Sequence, residues 1–374
     1  MGTSSTNSNG SGGGGNGGNG GGGGGGVTQN VFTVDLGAQG LAIDKSGNVW
    51  VASYGSGVTG QNVVTELSPT GSILGTTPVD FYPCCMAIDS TGNIWAGGTP
   101  VVGGGNAVAV LNPSGTILKY YFFADTIDGI TNYDAVNTMA IDQAGNHFFA
   151  AGSSIEGNTT VATLREVAAD GVTPYSYNIG PGNVSCVTDM TIDAQQDKWF
   201  ATLCGNYSNS NSNSNTTVYE LGPGGQQIGA FLVGTNYDAG SAAGIAVDKS
   251  GNIWVTNPAD DTITKLIPGG PGSATIAGVY PTIHTPSAVA IDGAGNVWVG
   301  GTGGITELNS SGTAVQTYTQ SPLDEGVEQI VIDASGNVWA TSGMSSSGTG
   351  STVVELTGAA TGPQYFAYSG PQWP

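Results

Sequence analysis

Apolar residues in this chain come in short runs that alternate with turns rich in Gly, Asn, Asp and Ser. No stretch carries the 3.6-residue apolar period of an amphipathic helix, so the pattern predicts strands. One nine-residue phrase keeps returning. It reads Ala42-Ile43-Asp44-Lys45-Ser46-Gly47-Asn48-Val49-Trp50, and counterparts end at Trp95, Phe148, Trp199, Trp254, Trp298 and Trp339. The repeat aspartates are Asp44, Asp89, Asp142, Asp193, Asp248, Asp292 and Asp333, at intervals of 45, 53, 51, 55, 44 and 41 residues. No interval approaches twice the shortest, so no copy is skipped and the count is seven.

Each copy reads as four strands. A short apolar run such as Leu41-Ala42-Ile43 leads to Asp-x-x-Gly-Asn. There the Asp side chain can bond backbone N–H groups ahead of it, and Gly and Asn tolerate positive φ. A second strand follows (Asn48 to Ala52), then a third after a variable loop: Val63 to Leu67, Thr217 to Leu221, Ile305 to Leu308 and Val353 to Leu356. A fourth lies near Ser72-Ile73-Leu74. Four strands in about 40–50 residues match one propeller blade. The expected fold is all-β: a seven-bladed β-propeller of four-stranded antiparallel blades. Closing the ring removes an exposed edge. The favoured closing strand is N-terminal, Val31 to Leu36; the alternative is that Gln364 to Tyr368 completes the seventh blade. The expected organisation is a disordered Gly/Ser/Asn-rich tether over 1–26, the propeller over 27–358, and a tail over 359–374.

The phrase Pro-x-Gly-Ile-Ala-x-Asp-x-x-Gly-Asn-x-Trp with a following Thr-Glu-Leu strand resembles the NHL-repeat and virginiamycin B lyase-like propellers, over residues 31 to about 357. The resemblance implies the fold, and a lyase chemistry carried by a His five residues before the repeat Asp and a Glu nine after it. The first position holds Gln39, Cys84, Asn137, Thr188, Ala243, Ser287 and Glu328, none of them His. The second holds Ser53, Gly98, Ala151, Thr202, Asn257, Gly301 and Ser342, none acidic. General acid–base elimination needs titratable groups in reach of the substrate proton, so the family's activity is not carried over.

Charge narrows the partners. Six Lys and Arg face 27 acidic residues, a net charge of −21. So few cations cannot neutralise phosphates, which argues against nucleic acid and against anionic headgroups. No apolar run is long enough for a membrane helix. The start matches the loose myristoylation pattern, but Gly2 to Gly26 reads better as the linker behind a lipid-anchoring Cys absent from this sequence, the expected membrane link. The four cysteines lack zinc spacing, so disulfides and an oxidising, extracytoplasmic location are expected. Cys186 and Cys204 flank one hairpin and are expected to pair. Cys84-Cys85 stays open between a vicinal disulfide and free thiols.

The candidate site is the mouth of the ring, where residues four and five before each Asp converge: Gln39, Asn137, Thr188, Asp189, Ser287, Glu328 and Gln329, with the Asp125-to-Asp134 loop and Asp324-Glu325 on the same side. No catalytic residue is assigned. The seven aspartates read as turn caps and the tryptophans as packing. His147 and His284 read as isolated. The expected function is an extracytoplasmic, non-enzymatic binding propeller, monomeric, taking a protein, carbohydrate or small molecule. The alternative is a metal-dependent lyase or lactonase with Glu328, Asp189 and Asn137 around a divalent cation such as calcium.

Overall fold

The computed structural model describes residues 27–55, 62–101, 107–127, 130–133, 135–156, 159–169, 171, 174–179, 187–202, 217–233, 244–342, 351–362, 367–368 and 370–371. The tether over 1–26, Cys186 and Cys204, Ala243, the 209–215 insertion, and Gln364 to Phe366 lie outside them.

Seven four-stranded antiparallel sheets form the ring, six of them with their strands in chain order from the axis outward. Blade 1 comprises Ala38–Ile43, Val49–Ser53, Val63–Leu67 and Ile73–Pro78. Blades 2 to 6 repeat this arrangement, with first strands Phe81–Ile88, Val136–Ile141, Val187–Ile192, Ile245–Val247 and His284–Ile291. Blade 7 is Val327–Ile332, Val338–Ser342 and Ser351–Thr357, with Thr28–Val34 as its outermost strand. The N-terminal strand therefore closes the ring, pairing Thr28 with Thr357 through Val34 with Ser351. Near the C-terminus, Ala367–Tyr368 instead pairs with Gly370–Pro371.

The buried core divides into seven clusters, one at each interface between neighbouring blades, including that between blade 7 and blade 1. Alternation along each strand produces this: Leu41 joins the cluster facing blade 7, and Ala42 the one facing blade 2. The repeat tryptophans fill these interfaces; Trp50, Trp199, Trp254, Trp298 and Trp339 are almost fully buried. Each of five stacks or leans on an aromatic of its own blade's outer strand: Trp95 on Tyr121, Trp199 on Phe231, Trp254 on Tyr280, Trp298 on Tyr318, and Trp339 on Phe32. Phe32 belongs to the closing strand, which thus supplies the contact that the fourth strand supplies elsewhere.

The repeat aspartates cap their turns, as expected. Asp44 Oδ1 accepts the N–H groups of Ser46 and Asn48 at 2.8 and 2.9 Å. Its Oδ2 also accepts the Trp50 indole N–H at 3.2 Å, and the indole bond recurs in every blade but the third, where Phe148 replaces Trp. Turn and core are therefore joined by one carboxylate. Two features differ from expectation. The Asp125-to-Asp134 segment contains a hairpin, Ala124–Ile127 with Ile130–Tyr133. Asp324-Glu325 lies in a 3₁₀ turn, Leu323–Glu325. Among the described residues no helix is long and apolar enough to cross a membrane.

Candidate functional site

The first strands begin with a defect. In blades 1, 2, 3, 4 and 7 the pairing of first and second strands skips one residue: Gln39, Cys84, Asn137, Thr188 and Glu328. In blade 6 the skip covers 285–287. A bulge leaves its extra residue out of the ladder and re-aims the side chain. The skipped residues include the one five before the repeat Asp, so in six of the blades that position is left out of its own sheet's ladder.

Three of these side chains reach the next blade. Cys84 Sγ donates to Val136 O at 3.0 Å, Asn137 Nδ2 to Val187 O at 3.2 Å, and Ser287 Oγ to Val327 O at 2.8 Å. Each acceptor lies six residues before its own repeat Asp, so the three bonds are one bond repeated. The neighbouring position, four before the Asp, works in reverse. Asp189 Oδ2 accepts the Ile245 N–H at 3.0 Å, and Gln329 Oε1 accepts the Leu41 N–H at 2.5 Å. Asp189 Oδ1 also takes the Met190 N–H at 2.9 Å and the Thr138 hydroxyl at 3.1 Å. Burial pushes the Asp189 carboxyl up to about 6 against these bonds. Where no acceptor side chain stands, the strands close up. A Cβ on Gly244 would lie 2.7 Å from Ser287 O, and one on Gly40 would lie 3.1 Å from Cys84 O.

The polar ring is thus a seam first, and this divides the candidate residues. Asn137, Asp189, Ser287 and Gln329 hold the blades together. Thr188 donates to Ala201 O within its own blade at 3.2 Å. Gln39 and Glu328 remain; among the described residues neither side chain makes a hydrogen bond. They stand at the same position in blades 1 and 7, which are neighbours across the closure. Partial burial pushes the Glu328 carboxyl up. Toward the rim of blades 1 and 2, Tyr54 and Tyr82 meet edge to face at 6.5 Å, and Tyr82 is exposed. Among the described residues no three His, Cys, Asp or Glu side chains gather so as to hold a metal ion.

The histidines gain partners that lie far off in sequence. His284 Nδ1 is 2.9 Å from both carboxylate oxygens of Asp261, which also accepts the Thr285 N–H at 2.8 Å. Burial raises the Asp261 carboxyl, but the bonds from His284 and Thr285 outweigh it and hold it below its ordinary value. Both Asp261 and Thr285 have positive φ, 52° for Asp261 in the loop between the second and third strands of blade 5 and 43° for Thr285 at the start of blade 6. His147 is buried and stacks on Trp95 with centroids 3.7 Å apart. Burial pushes it down to about 4, so it is neutral. Cys84 and Cys85 are free thiols, half-buried and buried.

The fold is a seven-bladed propeller, with Glu328 and Gln39 at the ring position that makes no side-chain hydrogen bond among the described residues. Its relatives in shape include a catalytically inactive variant of virginiamycin B lyase from Staphylococcus aureus with quinupristin. That match has a TM-score of 0.66 and 16% identity, and covers 88% of this chain and 99% of that one. The WD40 propeller domain of Doa1 matches with a TM-score of 0.59 and 14% identity, over 87% of this chain and 94% of that one. A putative gluconolactonase matches with a TM-score of 0.50 and 13% identity, over 91% and 95%. These likenesses establish the propeller fold and its kinship in shape with that of the lyase. No protein-family model and no curated protein sequence matches the chain.

Proposed function

We propose that this protein is a non-enzymatic binding propeller acting outside the cytoplasm, and that its ligand is a small hydroxyl-rich molecule seated between Glu328 and Gln39. The observation that carries the reading is selective engagement of the ring. Four of the predicted site residues stitch blades together, whereas among the described residues the Glu328 and Gln39 side chains make no hydrogen bond. A carboxylate accepts from ligand hydroxyls, and an amide both donates and accepts. The exposed ring of Tyr82, edge to face with Tyr54 of blade 1, offers an apolar face on the adjoining blade, and concave sites combine these elements. The even cysteine count supports the extracytoplasmic part.

The alternative, a metal-dependent lyase or lactonase, requires Asp189 and Asn137 to leave the seam and join Glu328 around an ion. Titration with calcium, magnesium and zinc distinguishes the readings, since an ion bound selectively to the native state raises the melting temperature. The proposal predicts no rise with any of the three. It predicts a rise with at least one member of a panel of neutral sugars and polyols, abolished in both Glu328→Ala and Gln39→Ala. Those variants should melt like the parent without ligand. A panel without effect, or binding indifferent to both substitutions, refutes it.

A further inference from the structure

Cys84 and Cys85 are adjacent in sequence, and their Sγ atoms lie 3.3 Å apart. That is inside ordinary sulfur contact, with the two thiols still unbonded and more than about 1 Å beyond the ~2.05 Å of a disulfide. Cys84 sits at the bulge, and its S–H makes the blade 2 to blade 3 copy of the seam bond, to Val136 O at 3.0 Å. In blades 3 and 6 an amide and a hydroxyl hold this place, groups that do not undergo thiol chemistry. We propose that Cys84 and Cys85 form a redox-active vicinal dithiol, which closes to a disulfide on reaction with a small-molecule disulfide and thereby opens the seam between blades 2 and 3.

The steps balance. The half-buried Cys84, as thiolate, attacks one sulfur of the oxidant and releases one small thiolate, giving a mixed disulfide. Cys85 then attacks Cys84 Sγ; its proton passes to the second departing thiolate. Two protein thiols are lost and two small thiols gained. Burial pushes the Cys85 thiol up, so it is the resolving partner rather than the thiolate that attacks the oxidant. Closure removes the proton that Cys84 donates to Val136 O. Neighbouring Cα atoms stand ~3.8 Å apart, below the usual disulfide span of about 4.4–6.8 Å. The product is strained and readily reduced, as suits a switch rather than a staple.

Trypsin makes the test direct, because Lys45 and Lys119 bound a peptide, 46–119, that contains Cys84 and Cys85 and neither Cys186 nor Cys204. The intact protein is treated with oxidised glutathione, remaining thiols are alkylated, and the digest is weighed. The expected result is an unalkylated, unlinked peptide lighter by two hydrogens, restored to two alkylatable thiols by brief dithiothreitol. Hydrogen exchange over 136–141 should rise several-fold on closure. Cys84→Ser keeps a donor for Val136 O and should show neither change. Persistence of both thiols, a lasting glutathione adduct, or a link to the peptide bearing Cys186 or Cys204 would overturn the dithiol. Closure without faster exchange would overturn the seam release.

Discussion

Replacing Glu307 by Gln should stabilise the protein at pH 8 and leave it unchanged at pH 4. Glu307 lies on the third strand of blade 6, directly opposite Trp298, and is 7% exposed. Burial, then the nearby charge of Asp292, push its carboxyl up to about 7, although the Tyr318 hydroxyl opposes this. Tyr318 is itself pushed up to about 12, first by burial and then by Glu307. Unfolded, the same carboxyl titrates near 4.5. Below that value both states hold the proton and the group has no effect. Between 4.5 and about 7 the unfolded chain releases its proton first, so stability falls as pH rises. Above about 7 the loss is complete, and at about 1.4 kcal/mol per pH unit it amounts to roughly 3 kcal/mol. Gln fills the same volume, accepts the Tyr318 hydroxyl and does not titrate. Urea unfolding of parent and variant from pH 4 to 8 should give curves that coincide at pH 4 and separate by roughly 2–4 kcal/mol at pH 8. A gap independent of pH, or a destabilised variant at pH 8, would refute the placement of a buried, protonated carboxyl there.

Other consequences follow from the same packing. Phe32→Ala removes the ring stacked on Trp339 across the closure and should cost about 2–3 kcal/mol in unfolding free energy, being half-buried. Phe32→Tyr should cost less than about 1 kcal/mol, because Tyr121, Tyr280 and Tyr318 make the same contact elsewhere. Gly244→Ala forces a methyl against the Ser287 carbonyl and should cost about 1–3 kcal/mol, with faster hydrogen exchange at the blade 5–6 interface. Asp189→Ala strands the Ile245 and Met190 N–H groups and should cost about 1–3 kcal/mol. Because burial holds the native carboxyl up at about 6, the parent's advantage over this variant should be greatest at pH 4 and shrink as the pH rises through about 6; an advantage that grows between pH 4 and pH 8 would contradict the buried placement of Asp189.

The repeat was legible because its cause is local. Asp, Gly and Asn build one turn within five residues, and the apolar alternation sets which interface each side chain enters. Closure was legible too, since Val31 to Leu36 had no other partner, though the strand proved to be Thr28–Val34. The seam was not legible. Gln39, Asn137 and Ser287 look alike in sequence as polar residues at a strand start. Whether each faces ligand or neighbour depends on a bulge and on a carbonyl about 40–50 residues away, one blade on. His284 gave no signal for the same reason: Asp261 is distant in sequence and meets it only where two blades adjoin.

The most direct test of the account is a crystal of the protein soaked in the sugar or polyol that most raises its melting temperature. The account predicts ligand density against the Glu328 carboxylate and the Gln39 amide, with Asn137, Asp189, Ser287 and Gln329 still bonded between blades. Density elsewhere on the molecule, with that sector empty, would contradict it.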